Sequence, residues 1–162
     1  MGKVYTRQLL AEQRLRWKQQ QKKVVFTNGV FDILHRGHVE YLSQAKSLGD
    51  ILIVGVNTDA SVKRIKGELR PIVKEDDRAF ILSHLICVDA ACLFEEDTPL
   101  NLISALVPDV LVKGADYTID TIVGKDVVER AGGTVQTIEF IPDRSTSNIV
   151  ETIVSRFSNI KQ

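Results

Sequence analysis

Two histidines, His35 and His38, lie three residues apart, just after an apolar run that ends in Asn28 and Gly29. The run predicts a buried strand, the glycine a turn, and the apolar spacing that follows predicts a helix. Both imidazoles are therefore expected on one face at the helix entry, beside backbone N–H groups and the positive end of the helix dipole. This pattern indicates an anion site, where Gly29 and Gly37 would let the backbone approach a nucleotide closely.

Other interpretations of the histidine pair are weaker. A zinc site lacks a third ligand at a suitable spacing, and a pair of helix-cap residues without catalytic weight is the second alternative. With Asp32 and the two glycines beside them, the histidines favour stabilisation of charge on a transferring α-phosphate, with His38 near the bridging oxygen. No protein nucleophile is needed, because a sugar or alcohol phosphate can attack in line in a site that positions both reactants.

The elements that must position these residues alternate along the chain. Apolar runs predict strands at Val24–Gly29, Ile51–Val56, Val88–Phe94, Val110–Val112 and Thr134–Ile138. Helical periodicity, glycines and capping residues predict helices over 6–22, from His38 to Leu48, Glu75–Ile86, from a Thr98 cap to Leu106, Gly124–Ala131 and Ile149–Phe157. Strands alternating with helices indicate right-handed βαβ units. The expected fold is a Rossmann-like three-layer α/β/α domain with a five-stranded parallel sheet.

Composition limits the classes of partner. The chain has 162 residues, which suits one domain, with residues 1–22 as an N-terminal helix packed on a single domain of residues 23–162. Lys plus Arg and Asp plus Glu both number 21, so net charge gives no support to a nucleic-acid or membrane partner. Without a long apolar run or a secretory signal, a cytoplasmic protein is expected. Cys87 and Cys92 are too few for a disulfide framework or a zinc site.

The segment from Gly29 to His38 resembles the His-x-Gly-His signature of the nucleotidyltransferase superfamily that includes the cytidylyltransferases. Phe31 and Asp32, placed before the first histidine and directly after an apolar strand, make the match specific. The resemblance implies catalytic roles for His35, His38, Lys66 and Arg78. The last two match a lysine after the second strand and an arginine at the next helix start, both of which bind phosphates in the family.

The resemblance also implies two sets of binding residues. The residues expected at the nucleotide are Thr27, Asn28, Gly29, Phe31, Gly37, Lys113, Gly114, Asp116, Ser145, Thr146 and Ser147. Those expected at the second substrate are Asp32, Asn57, Asp59 and Arg64. The run Arg144 to Asn148 stands where the family has Ile-Ser-Thr-Thr.

Each of these residues also has a plainer interpretation. Asp32 would elsewhere be a loop carboxylate that caps the next helix, and the serines and threonine from Ser145 to Ser147 form a capping arrangement by default. Lys113 would be a surface charge. The basic cluster that contains Arg64 and Lys66 would be a solvated face.

Over almost its whole length the chain resembles the adenylyltransferase part of ADP-heptose synthases. The resemblance runs through the segments Phe26–Asp32, Asn57–Val62, Arg70–Pro71, Phe94–Pro99, Pro108–Tyr117 and Ser145–Thr146. It implies transfer of AMP from ATP to D-glycero-β-D-manno-heptose 1-phosphate, with release of pyrophosphate, on the path to lipopolysaccharide core sugars. Mg²⁺ is expected to bind through the ATP phosphates, without a dedicated set of protein ligands.

Many relatives carry this unit behind a sugar kinase, so a separate kinase is expected to make the sugar phosphate. A homodimer is a further expectation. Two alternative functions stay open: a CTP-dependent cytidylyltransferase for glycerol 3-phosphate or another alcohol phosphate, and a nucleotide-binding module without catalysis. The chain departs from the family pattern at Val30, where cysteine is frequent, and at Asn148.

Overall fold

Apolar runs rich in Val, Ile and Leu form a parallel sheet. In the computed structural model, which describes residues 2–139 and 145–158, the strands are β1 (Lys3–Tyr5), β2 (Val24–Gly29), β3 (Ile51–Asn57), β4 (Ala90–Phe94), β5 (Val110–Gly114) and β6 (Thr134–Ile138). They pair in the order β1-β4-β3-β2-β5-β6, and every pair is parallel. The expected α/β class with a parallel sheet is confirmed.

The expected count of five strands is wrong, because β1 adds a sixth at the sheet edge. β1 pairs with Ala90–Cys92 of β4, and Lys3 N donates to Asp89 O at 3.2 Å. A strand of three residues is too short to show a two-residue periodicity, so the pattern of the sequence did not predict it. The first 22 residues therefore contribute a strand to the sheet as well as a helix.

Helices follow the strands, and three of those described begin at a capping side chain, that of Thr6, Thr58 or Ser145. They are α1 (Arg7–Gln19), α2 (Arg36–Lys46), α3 (Asp59–Lys66), α4 (Glu75–Ser83), α5 (Leu100–Leu106), α6 (Lys125–Arg130) and α7 (Thr146–Phe157). Thr58 caps α3, a helix that the sequence pattern did not predict, and Pro99 rather than the expected Thr98 stands at the cap position of α5. No helix within the described residues combines the length and apolar character needed to cross a bilayer.

The two faces of the sheet carry separate apolar cores. Along β2 the side chains alternate, so Phe26 joins Leu10 and Trp17 of α1 on one face while Val25 joins Leu42 of α2 on the other. This two-sided burial explains why the central strands are almost continuously apolar. Helices therefore cover both faces, as the three-layer expectation requires.

The strand order reverses at β2, and this reversal positions the functional site. From β2 the chain moves outward on one side to β3 and β4, and then returns to β5 on the other side of β2. Loops that follow β2 and β5 leave the sheet toward opposite faces at such a point and open a crevice between them. The loop with the two histidines follows β2, so it lies at the crevice.

We expect Gly124→Ala to lower the free energy of unfolding more than Gly132→Ala does. Both glycines have positive φ (90° and 84°), so each alanine adds backbone strain of about 1 kcal/mol. A Cβ at Gly124 would lie 2.6 Å from Ile103 Cδ1, whereas nothing lies within 4 Å at Gly132. The overlap should cost about 1–3 kcal/mol more. Urea denaturation of both variants measures this difference, and equal losses would contradict the steric argument.

Candidate functional site

A cavity of about 500 Å³ opens at the carboxyl ends of β2, β3 and β5. The predicted site residues that line it are Asn28, Gly29, Phe31, Asp32, His38, Asn57, Lys66, Lys113, Gly114, Asp116, Thr146 and Ser147. The predicted site residues that do not line it are Thr27, His35, Gly37, Asp59, Arg64, Arg78 and Ser145. The fold thus brings residues from distant parts of the sequence into one concave site.

The two histidines lie together at the start of α2. His35 is the N-cap residue, and the ring of His38, in the first turn, stacks on that of His35 with centroids 3.8 Å apart. The edge of Phe31 contacts His38 at a centroid distance of 5.3 Å. His38 therefore reaches the cavity, while His35 supports it from behind.

The surroundings of His38 keep its imidazole neutral. Burial lowers its pKa to about 4, and the neighbouring His35 contributes in the same direction. Its Nδ1 atom is buried and has no hydrogen-bond partner among the described residues. At pH 7 the side chain is a neutral imidazole with one N–H donor, which suits a hydrogen bond to a phosphate oxygen.

The loop between β2 and α2 holds an uncommon backbone conformation. Phe31 has φ = 49°, a value in the left-handed region that side chains rarely adopt and that is often found at functional sites. A Cβ on Gly29 would lie 3.0 Å from the Phe31 ring, so the glycine gives the ring its space. Thr27 lies below the loop, and its hydroxyl hydrogen-bonds the Tyr41 hydroxyl at 2.7 Å.

On the β5 side, Lys113 provides a positive charge inside the cavity wall. The residue is only 9% exposed, so it is not a surface charge. Burial lowers its pKa to about 8, against the opposing effect of Asp116. Its Nζ lies 5.2 Å from the centroid of the Tyr117 ring. At pH 7 the ammonium is still mostly protonated and can contact a phosphate.

Asp32 holds the opposite wall together. Its Oδ1 accepts hydrogen bonds from Ile72 N and Val73 N, both at 2.8 Å, and its Oδ2 pairs with Arg70 Nε at 2.7 Å. The Asp32 side chain is 1% exposed. The carboxylate therefore fixes residues 70–73 against the loop after β2 and has little capacity left for a ligand.

Arg78 lies behind the same wall and not in the cavity. The fully buried guanidinium donates to Val73 O at 2.9 Å, Val30 O at 2.7 Å and Asp59 Oδ1 at 2.7 Å. All three of its nitrogens are thus engaged with protein. A phosphate-binding role for Arg78 remains a prediction, and the geometry suits a residue that supports the loop.

Of two further predicted residues on this side, one lines the cavity and the other lies outside it. Asn57 lines the cavity and donates from Nδ2 to Ser61 Oγ at 2.9 Å. Arg64 lies outside it, where Nε pairs with Asp97 Oδ1 at 2.7 Å. Since Asp97 lines the cavity, Arg64 neutralises a carboxylate at the rim.

The start of α7 closes a third side. Ser145 caps the helix by accepting from Asn148 N at 3.1 Å, which confirms the capping arrangement. The next two residues, Thr146 and Ser147, line the cavity at the N-terminal end of the helix. Arg144, which precedes them in the family-like run, lies outside the described residues.

Some lining residues were not predicted from the sequence, among them Tyr41, Arg70 and Tyr117. Tyr41 had a usable signal, because it follows His38 by three residues and so shares its helix face. For Arg70, no signal in the sequence pointed to the cavity beyond its place in the family-like Arg70–Pro71 segment. Its position in the wall depends on Asp32, almost forty residues earlier in the chain.

Fold and site together define an α/β domain with a crevice at the point where strand order reverses, which is where open α/β sheets bind their ligands. The chain belongs to the cytidylyltransferase-like family, whose profile matches residues 26–155. The resemblance of the His-x-Gly-His segment is thereby confirmed at the level of the family.

Two curated relatives are both bifunctional proteins called HldE. The chain is 55% identical to HldE of Citrifermentans bemidjiense over 96% of its length, and 51% identical to HldE of Trichlorobacter lovleyi over 98%. In both comparisons it spans 32% of the relative, about a third of that protein's length.

Two solved structures share the fold. The lipopolysaccharide core biosynthesis protein of Thermoplasma volcanium GSS1 is 35% identical, with a TM-score of 0.61 over 74% of this chain and 97% of that one. Pantoate-beta-alanine ligase of Francisella tularensis, in complex with beta-gamma ATP and beta-alanine, is 15% identical, with a TM-score of 0.62 over 99% of this chain and 82% of that one. The latter likeness concerns the fold alone.

The lowered pKa of His38 predicts a pH-dependent stability. Between pH 6.5 and 4 the unfolded chain binds a proton at His38 that the folded chain does not, so acidification through this range favours unfolding. The free energy of unfolding of the wild type should therefore fall more steeply from pH 7 to pH 5 than that of His38→Gln, which cannot titrate. Urea denaturation at pH 7, 6 and 5 checks this, and parallel curves would contradict the assigned burial.

Proposed function

We propose that this chain transfers AMP from ATP to D-glycero-β-D-manno-heptose 1-phosphate and releases pyrophosphate, as a step toward lipopolysaccharide core sugars. The observation that carries the proposal is the cavity at the strand-order reversal, where neutral His38 and cationic Lys113 lie beside the start of α7. The resemblance to ADP-heptose synthases and the similarity to a lipopolysaccharide core biosynthesis protein support the choice of sugar.

In the proposed complex, ATP occupies the β5 side of the cavity. Tyr117 and Val123 offer aromatic and apolar surface to the base, and Gly114 leaves room for the ribose next to the strand end. Lys113 and the hydroxyls of Thr146 and Ser147 face the phosphates, where a helix N-terminus also favours negative charge. In this assignment, the residues on this side that were predicted to bind the nucleotide all contact ATP.

The proposed reaction is a direct displacement at phosphorus. An oxygen of the sugar phosphate attacks the α-phosphorus of ATP in line, and a new P–O bond forms as the bond to the bridging oxygen breaks. The electron pair leaves with pyrophosphate. His38, held by its stack on His35, donates its N–H toward the bridging oxygen, so that it stabilises the transition state more than the bound substrates.

Mg²⁺ is the proposed cofactor and binds through the ATP phosphates. It would neutralise charge on the triphosphate during transfer. Mg²⁺ usually keeps several waters and takes one or two carboxylates beside substrate phosphates. Asp116 in the cavity wall would be the carboxylate available to it. The described residues hold no group of three or more His, Cys, Asp or Glu side chains arranged for a metal ion.

Other partners remain predictions. A sugar kinase that acts upstream in the pathway is one of these predictions. The same holds for a homodimer, for the lack of nucleic-acid and membrane partners, and for a cytoplasmic location.

We expect His38→Ala and His35→Ala to lose most turnover and to stay folded. Removal of one donor that serves the transition state typically lowers kcat by about 10²–10³. His84→Ala is the matched control, because His84 stacks on Phe80 in α4 and does not line the cavity. Pyrophosphate release measures kcat, and near-normal turnover in folded His38→Ala would refute its role.

The substrate choice is tested by offering ATP or CTP against heptose 1-phosphate or glycerol 3-phosphate, with Mg²⁺ present. Pyrophosphate release with ATP and heptose 1-phosphate alone is the expected result. Release with CTP and glycerol 3-phosphate would keep the mechanism and overturn the substrate. Nucleotide binding without release for any pair would favour the non-catalytic module.

A further inference from the structure

We propose that Arg70 binds the phosphate of the acceptor and that Asp32 positions Arg70 for this task. The inference rests on the proposed function, and it assigns an anion subsite to the side of the cavity away from β5. We assign Lys66 to the same subsite, since this last residue of α3 lines the cavity together with Arg70, which follows it in the segment between α3 and α4.

Arg70 is held in place but keeps donors for a ligand. Its side chain is 25% exposed and lines the cavity, and its Nε pairs with Asp32 at 2.7 Å. Its two Nη groups bond to no partner within residues 2–139 and 145–158. A guanidinium fixed through Nε, with both Nη groups available, matches the fork geometry that binds phosphate oxygens in pairs.

Neighbouring arginines do not offer this combination. Arg78 spends its Nε and both Nη groups on two backbone carbonyls and Asp59, and Arg64 pairs with Asp97 outside the cavity. Of these three arginines, Arg70 is the one that lines the cavity. We therefore assign the anion subsite to Arg70, because it lines the cavity and its Nη donors remain available.

The reaction needs two anions side by side, and the cavity has cations on two sides. Lys113 lies on the β5 side, whereas Lys66 and Arg70 line the cavity from the chain segment that follows β3. His38 and Phe31 stand between the two groups, at the end of β2. With ATP on the β5 side, an acceptor phosphate on Lys66 and Arg70 would attack the α-phosphorus from the side opposite to the leaving pyrophosphate, as in-line displacement requires.

Asp32 acts through Arg70 and not on the substrate. Its Oδ1 accepts from two backbone amides and its Oδ2 pairs with Arg70, and its side chain is 1% exposed. Because the amides fix the carboxylate, the carboxylate fixes the guanidinium before substrate arrives. A binding group already oriented in this way loses less side-chain entropy when it binds.

Steady-state kinetics of Arg70→Gln test the assignment. We expect the KM for heptose 1-phosphate to rise about 10–100-fold, since a charge-assisted pair of hydrogen bonds is lost, while the KM for ATP stays within about twofold. Arg70→Lys should recover part of this loss, because it restores the charge without the fork. Arg130→Gln, at a surface arginine of α6 outside the cavity, is the control and should match the wild type.

The Asp32→Asn variant distinguishes a positioning role of Asp32 from a role in folding. The asparagine can still accept from the two amides but no longer pairs with the guanidinium as an anion. The KM for the acceptor should rise with the KM for ATP unchanged, in a protein whose urea midpoint shows it to be folded. A fall in kcat alone, or an equal rise in both KM values, would overturn the positioning role.

A direct binding measurement tests this inference separately from the proposed enzymatic turnover. Calorimetry with a saturating non-hydrolysable ATP analogue measures how heptose 1-phosphate and inorganic phosphate bind to the wild type and to Arg70→Gln. Binding by the wild type that Arg70→Gln loses supports the subsite even if no pyrophosphate is released. Equal binding by both proteins, no binding by the wild type, or weaker binding of the ATP analogue to Arg70→Gln overturns it.

Discussion

The buried carboxylate of Asp32 is the interaction on which the shape of the site depends. It joins the loop after β2 to residues 70–73, and Arg78 adds a second tie between Val30 and Val73. Buried charges are tolerated when they are paired and hydrogen-bonded, as both of these are. The loop also carries Phe31 in the left-handed region, a conformation that persists only where surrounding contacts hold it. One network thus sets both the loop and the wall that faces it.

The fold could be predicted largely from local pattern. The continuous apolar runs of β2 and β3 and the helix of Glu75–Ser83 have lengths and spacings that favour one structure, and their alternation indicates a parallel sheet. The short strand β1 could not be predicted in this way. It is a strand because β4 offers it an unpaired edge, and that is a property of the folded sheet.

The candidate site also contains residues that local sequence pattern predicts and residues whose position depends on the folded structure. His38 and Gly29 reach the cavity from a short segment whose strand, turn and helix are encoded locally. Arg64, Arg70 and Arg78 lie within fifteen residues of each other and carry the same chemical group, yet one neutralises Asp97, one enters the cavity and one supports a loop. Which nitrogens remain available depends on partners distant in sequence, so residue type alone does not distinguish the three.

The reversal of strand order at β2 has a consequence for how such a domain diversifies. Residues on the β5 side and residues between α3 and α4 are carried by separate halves of the sheet, and they meet at the loop of β2. Mutations in the α3–α4 segment can therefore alter one wall of the crevice and leave the other half of the sheet as it is. With the acceptor subsite proposed in that segment, a lineage would exchange one co-substrate for another through changes in a single stretch of chain, while the β5 wall is inherited unchanged.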